Sequence, residues 1–566
     1  MNKNYYLIAA SAALILAGCA KESFTEAQVV AGETTTVTAT AIVPAAADGT
    51  KIVLTDEFNT EDMLGDVKAA WEQGDKFVAF ATTGDNKAVA LTFEFQSKDA
   101  KGVGTFKASG EVTLDDNTVW TAVLGKVTVS DTTAICKYTS QDGTLASLDD
   151  YEYVVASSKG KTPVFNFADA KSKQLTYVMR LLLPAGIKYI EYNTGTIANG
   201  GWNVFPKKAP VSTVSTTSKD AVHMITLPSE SSAGQVVYLA IPAVDYGVHE
   251  EKDRLKDKTR DAGLIVTIMS ADKKQSTGKV LAHKVEGGCI AAWDLSREKL
   301  YARPLASEAI DLGSVSYNGT TYPLGAWAPF NLGGNFPTSD QNIVGGNFAW
   351  GEVAPRESFT KDGYKWYSGG TYTTQIGFKY TTAVEYTGEH YLVNTIAGGG
   401  SSSFTSGSYY EITGTRYDAA RVLWGSEWCL PDNVICGNIF YMGHGRLDET
   451  IDVEQKVDVK SYVKGSYKNS YDFTSGTMGA VVIKANGAEL VLYLTPYTDN
   501  GSMKSDGAQS RYWTGTTDYG VNSSGKFAGY YNRSCLLRLY DDGGSEVNNG
   551  TSWQWDGLQI RPVLNK

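Results

Sequence analysis

Histidine is nearly missing from this chain: five occur in 566 residues (His223, His249, His283, His390 and His444), scattered along it. No HExxH or His-x-His spacing exists, which excludes the usual zinc sites built on one helix or strand. Cysteine is almost as scarce, at six. There is no CxxC, and Cys429 and Cys436 stand too far apart for a zinc knuckle. Neither a Gly-x-Ser-x-Gly elbow nor a phosphate-cradling Gly-Lys-Ser/Thr loop is present. Gly398-Gly399-Gly400 runs into serines without a lysine and reads as a flexible loop. Positive charge is in deficit, 51 Lys and Arg against 62 Asp and Glu for a net charge of -11. Neutralising phosphates needs a basic surface, so no nucleic-acid partner is expected. Beyond the first 20 residues no apolar run is long enough to span a bilayer. No catalytic residue, metal or cofactor is expected.

What the chain has is glycine (58 against 15 Pro), tyrosine (33) and tryptophan (12) in an otherwise globular composition. Its length exceeds what one hydrophobic core supports, so two to four domains are expected. The start is an address. Lys3 precedes an apolar stretch from Tyr6 to Leu16, which ends in Leu16-Ala17-Gly18-Cys19. The pattern resembles a bacterial lipoprotein signal peptide. The resemblance implies removal of residues 1–18, lipid attachment at Cys19, a tether over 19–33, and membrane partnership through that lipid. Five thiols then remain: Cys136, Cys289, Cys429, Cys436 and Cys535. Five is odd, so at least one has no partner within the chain, and burial as single thiols is expected.

Residues 34–305 read as all-β. Val37, Ala39 and Ala41 alternate with threonines, Val89, Leu91, Phe93 and Phe95 share a face, and Leu175, Tyr177, Met179, Leu181 and Leu183 do the same. Val236–Ile241 and Leu264–Met269 read as strands buried on both sides, as in a sandwich interior. The charged run His249–Asp261 reads as a solvated loop. Trp71-Glu72-Gln73-Gly74-Asp75 predicts a turn in which Gly permits the reversal and Asp bonds the turn amides. In order come Lys51–Thr55, this turn, Thr92–Phe95, Gly104–Lys107, Leu239-Ala240-Ile241-Pro242 and Gly287-Gly288-Cys289 to Leu295. That order resembles the fimbrillin family of surface lipoproteins. It implies two β-sandwich domains, 34–165 and 166–305.

From 306 the composition shifts, with eight of the 12 tryptophans in under half the chain. Asp418–Gly425 predicts a short helix capped by Asp418 and ended by Gly425. Pro431-Asp432 opens a second helix with Ile435 and Ile439 on one side. Asn486-Gly487 between Ala480–Ile483 and Leu490–Leu494 predicts a hairpin. Five separated motifs occur in series: Trp327–Gly334, Phe348–Glu352, Ala419–Pro431, Tyr512–Gly515 and Gly557–Val563. The series resembles the Fibrobacter succinogenes major paralogous domain, of the C-type-lectin-like and formylglycine-generating-enzyme folds. It departs at Thr514-Gly515, where serines are usual, and at Cys429, where a basic or small residue is common. The fold class implied for the whole chain is mainly β with α+β: two fimbrillin-like sandwiches, then a C-type-lectin-like domain over 306–566. The enzymatic branch of that fold needs a copper-binding cysteine pair, and Cys535 stands alone near the C-terminus.

Sugar recognition uses aromatic faces for the apolar side of a pyranose ring and Asn, Asp or Glu for its hydroxyls. Trp553, Trp555 and Asp556, after Asn548 and Asn549, supply both in a loop-like stretch, so Trp553, Trp555, Asp556 and Asn549 are the candidate ligand-binding residues. Core packing is the alternative for these two tryptophans and the expected role of Trp327, Trp350, Trp424 and Trp428. Asp541, Asp542 and Glu546 read as solvated acids rather than calcium ligands, and Asp131-Thr132-Thr133 resembles an O-glycosylation acceptor. The expected function is that of an outer-membrane, surface-exposed lipoprotein presenting an adhesin-like, ligand-binding domain to a glycan or a surface protein. The alternative is a pilus tip or accessory subunit that joins other fimbrial subunits by β-strand donation.

Overall fold

The computed structural model describes residues 35–42, 70–82, 88–168, 173–193, 222–246, 263–317, 320–333, 345–376, 408–443, 476–521 and 527–565, apart from short interruptions, with isolated strands elsewhere. Among the described residues strand makes up 53% against 6% helix, so the fold is mainly β.

An eight-stranded sheet opens the chain, with strands ordered 164–166, 35–42, 104–110, 88–98, 76–82, 119–124, 154–159 and 173–174. Alternation decides its two faces. Val37, Ala39, Phe77, Ala79, Leu91, Phe93, Phe106, Trp120 and Phe165 meet in one core drawn from the strands of this one sheet, which therefore folds over itself. Phe77 and Phe93 stack at 5.1 Å, and Trp71 meets Phe106 edge-on at 4.7 Å. The predicted turn forms as expected: Gly74 has φ +101°, and the Asp75 carboxylate accepts the Glu72 amide at 2.6 Å. The Trp71 indole then donates to the Ala41 carbonyl at 3.1 Å, tying the turn to the first strand.

The opposite face of this sheet, through Val78, Phe80, Val123 and Val155, joins a second core with Cys136, Tyr138, Leu175, Val178, Trp202 and Ala240. Strand Gly201–Val204 pairs with Thr133–Lys137, Trp202 opposite Cys136, so the ladder itself crosses the sequence boundary expected at 165/166. Behind this core stands a three-stranded sheet, 235–242, 176–183 and 290–294. Its far side, with Tyr177, Met179, Leu181, Leu183, Leu239 and Ile241, packs on a five-stranded sheet of 222–226, 187–193, 264–270, 275–281 and 301–302. This is a sandwich with Ile190, Ile225, Val266 and Ile268 facing inward.

Strand Leu264–Ser270 is buried at all six positions from Leu264 to Met269, as its sequence predicts. The cause differs from the expected one. Leu264, Val266 and Ile268 face the sandwich core, whereas the outer positions Thr267 and Met269 are covered by the C-terminal part of the chain.

In that part, strands 310–311, 326–327, 563–564 and 428–429 form a sheet that brings the beginning and end of residues 306–566 together, Trp327 opposite Val563. The helix Ala419–Trp424 starts at Asp418, whose side chain accepts from the Ala420 and Arg421 amides, and stops at Gly425, φ +90°. The second helix, Asn433–Gly443, begins with Asp432 accepting the Ile435 amide at 2.7 Å and buries Ile439. The hairpin of Gly476–Ala485 and Ala488–Tyr493 turns on Asn486 (φ +49°) and Gly487 (φ +79°), the left-handed pair that a two-residue hairpin loop requires. Trp350, Trp424, Trp428 and Trp513 share one core with Phe330 and Phe348, and Trp327 joins a neighbouring core with Leu312, Ile439, Ile483 and Leu490. All five are buried, so the packing role expected of Trp327, Trp350, Trp424 and Trp428 holds. No helix among the described residues is long and apolar enough to cross a membrane.

Candidate functional site

The part of the candidate ligand-binding stretch that carries Asn549 and Trp553 is a strand, not a loop. Val547–Trp553 is the last strand of a five-stranded sheet ordered 394–397, 408–411, 509–521, 527–540 and 547–553. Asn549 pairs with Leu537, and Trp553 with Arg533. Trp555 lies outside the described residues, as do Cys19, Asp541, Asp542, Glu546, Asp131, Thr132 and the run 249–261.

Asp556 is fully buried. Its carboxylate accepts the Ser552 hydroxyl, and the same oxygen of Ser552 accepts from the Arg511 guanidinium at 3.2 Å. Arg511 also pairs with Asp499 at 3.0 Å and lies over the Tyr497 ring at 4.5 Å. Two acids, a hydroxyl and one arginine thus converge beneath the end of the edge strand, and the Thr498 amide donates to the Gly557 carbonyl at 2.8 Å. The cluster fixes where the chain leaves the edge strand. Asp556 acts from below as a positioning residue, where sequence reasoning placed it at the surface. The signal for its burial was the Gly557–Val563 motif that follows at once and is itself buried.

That motif works through contacts spanning more than 200 residues. Gln559 accepts the Asn331 side-chain amide at 3.1 Å and the Gly345 backbone amide at 3.0 Å, and donates to the Asn347 side-chain Oδ1 at 2.5 Å. Arg561 donates to Asn331 at 2.6 Å and to the Ala328 carbonyl at 3.0 Å. All four side chains are buried and hydrogen-bonded within this cluster, through Nε and Nη1 in the case of Arg561. The Asn of the first motif and the Gln and Arg of the last are therefore one structural device.

Asp418 is a second such device. One oxygen takes the Ala420 and Arg421 amides at 2.9 and 3.2 Å, and the other takes Gly414 and Leu430 at 2.8 and 2.9 Å. Burial pushes its carboxyl up to about 6, against the downward pull of the Gly414, Leu430 and Arg421 amides.

The far end of the same helix meets the sandwich. Thr267 donates to the Val422 carbonyl at 2.9 Å, Ser276 to Leu423 at 2.7 Å and the Arg303 Nε to Trp424. Glu191 accepts the Ser426 amide at 2.7 Å, and Arg416 donates to the Tyr246 carbonyl at 2.9 Å. Burial raises the Glu191 carboxyl, with the Ser426 hydrogen bonds, Arg421 and Arg303 opposing.

Cys136, Cys429 and Cys436 are buried thiols, as expected, while Cys289 is exposed. Burial pushes the Cys136 thiol up, which makes it inert. No group of three or more His, Cys, Asp or Glu able to hold a metal occurs among the described residues.

No protein-family model matches the chain, and no curated protein matches it. Among solved structures it is similar to a candidate cell adhesion protein from Bacteroides ovatus ATCC 8483, at 10% identity over 47% of this chain and 95% of that one, with a TM-score of 0.28. It is also similar to candidate polysaccharide-binding proteins from Bacteroides thetaiotaomicron VPI-5482 (12% identity, 44% of this chain, 90% of that one, TM-score 0.23). A candidate cell adhesion protein from Parabacteroides distasonis ATCC 8503 shows 10% identity over 51% of this chain and 88% of that one, TM-score 0.23.

Proposed function

We propose that this chain is a cell-surface lipoprotein of the outer membrane, held by lipid on Cys19, in which fimbrillin-like sandwiches carry a lectin-like C-terminal domain that binds a glycan or a surface protein without turning it over. The reading is supported by the position of Asn549 and Trp553 on Val547–Trp553, the last strand in the order of a five-stranded sheet, with Asp556 bonded to Ser552 of the same strand. An aromatic and an amide on an edge strand supply stacking and hydrogen bonding to one ligand. The test is binding of residues 20–566 to an immobilised glycan panel. Retention on at least one glycan is expected, falling at least tenfold in the Trp553→Ala/Trp555→Ala double variant. A folded chain that binds no glycan and no surface protein contradicts the proposal.

The second reading, a pilus tip or accessory subunit, is favoured by one feature. Strand Thr35–Ile42 is paired along one side through Thr35–Ala41, but on the other only from Thr40 onward, by Val164–Asn166. The edge at Thr35–Ala39 has no second partner among the described residues, the geometry that an added strand completes. Surface filaments that assemble without this protein and exclude it contradict that reading.

A further inference from the structure

The last carbonyls of a helix have no partner inside it and are ordinarily met by water or by the following turn. In Ala419–Trp424 the carbonyls of Val422, Leu423 and Trp424 are instead met by Thr267, Ser276 and Arg303, all more than 120 residues away in sequence. The donors belong to the outer face of the sandwich sheet and to the segment leaving it. Register explains how one face supplies them: Glu191 lies opposite Thr267, Thr267 opposite Gly278, and Met269 opposite Ser276, and directly opposed residues share a face.

The fit leaves no clearance. A Cβ on Gly278 would lie 2.0 Å from the Val422 carbonyl oxygen, one on Gly263 2.7 Å from Arg416, and one on Gly425 2.8 Å from Met269. Arg303 closes the joint by donating to the Lys273 carbonyl at 3.0 Å and pairing with Glu427. The side chains of Thr267, Ser276, Arg303, Arg416 and Glu191 are all buried in it.

We propose that this sheet face is a fixed seat for the C-terminal domain: the helix Ala419–Trp424 is completed only when seated, so the domain folds and keeps its orientation as one unit with the sandwich rather than swinging on a hinge near 305. An adhesive domain so mounted transmits force to its anchor without a flexible joint. The inference is independent of what the domain binds.

Hydrogen exchange on the chain 20–566 tests it. In the Thr267→Val/Ser276→Ala variant, amides in 419–430 are expected to exchange at least tenfold faster. Those in strands 119–124 and 154–159 of the first sheet keep wild-type rates. Gly278→Leu is expected to add trypsin cleavage between 297 and 312 that the wild type resists. Should Gly278→Leu misfold throughout, the milder double variant decides. Unchanged exchange at 419–430 in that variant, or wild-type cleavage near 305 releasing a folded C-terminal fragment, overturns the proposal.

Discussion

Replacing Asp418 by Ala removes the acceptor of four backbone amides at once, those of Gly414, Ala420, Arg421 and Leu430. Loss of the cap at Ala420 and Arg421 costs about 1–2 kcal/mol on its own. The Gly414 and Leu430 amides lose their acceptor in a fully buried site, at about 1–3 kcal/mol each. These contributions share one carboxylate and are not additive, and the variant no longer buries a charge-bearing group. About 4 kcal/mol is therefore expected, a large share of a stability that is about 5–15 kcal/mol for a typical domain. Urea unfolding followed by tryptophan fluorescence reads it, because Trp424 and Trp428 share the core beside this helix. Asp418→Asn refines the argument. Its one remaining carbonyl oxygen still caps Ala420 and Arg421, while its NH2 faces the Gly414 and Leu430 donors, so an intermediate loss is expected. A shift below about 1 kcal/mol for the alanine variant refutes the reasoning.

Three further outcomes follow from the geometry. Glu191 has its folded pKa raised by burial, so its contribution to stability is full below the unfolded value and is lost as pH rises through the folded one. The urea midpoint of the wild type should therefore fall relative to Glu191→Gln as pH rises above the ordinary glutamate value of about 4.3, and a constant gap contradicts this. Gly487→Ala meets nothing within 4 Å but holds φ +79°, so thermal unfolding should show a loss of about 1 kcal/mol from backbone strain alone. Cys19→Ser should move the protein from the detergent phase to the aqueous phase in a Triton X-114 partition, and retention in detergent argues against lipid at that thiol.

The parts legible in the sequence are those whose physics is local. Asp418 and Gly425 bracket their helix within eight residues, Asn486-Gly487 sets its own backbone, and the Trp71–Asp75 turn closes on its own amide. Alternation likewise marked the buried face of strand 88–98 through Leu91, Phe93 and Phe95. Burial at 264–269 was also legible, but its cause was not, because hydrophobicity reports that a face is covered and not by what. The roles of Asn331, Gln559 and Arg561 were out of reach for a related reason: their partners stand more than 200 residues apart. Asp556 reads as a surface ligand group because its partners Ser552 and Arg511 become neighbours only when the edge strand is in place.

Display of a recognition surface at the Val547–Trp553 edge is tested most directly by isothermal titration of residues 20–566 with whichever panel glycan they retain, beside the Trp553→Ala/Trp555→Ala and Asn549→Ala variants. Saturable heat in the wild type that both variants reduce at least tenfold in affinity, with unchanged far-ultraviolet circular dichroism, is predicted. Equal affinity in all three proteins contradicts the account.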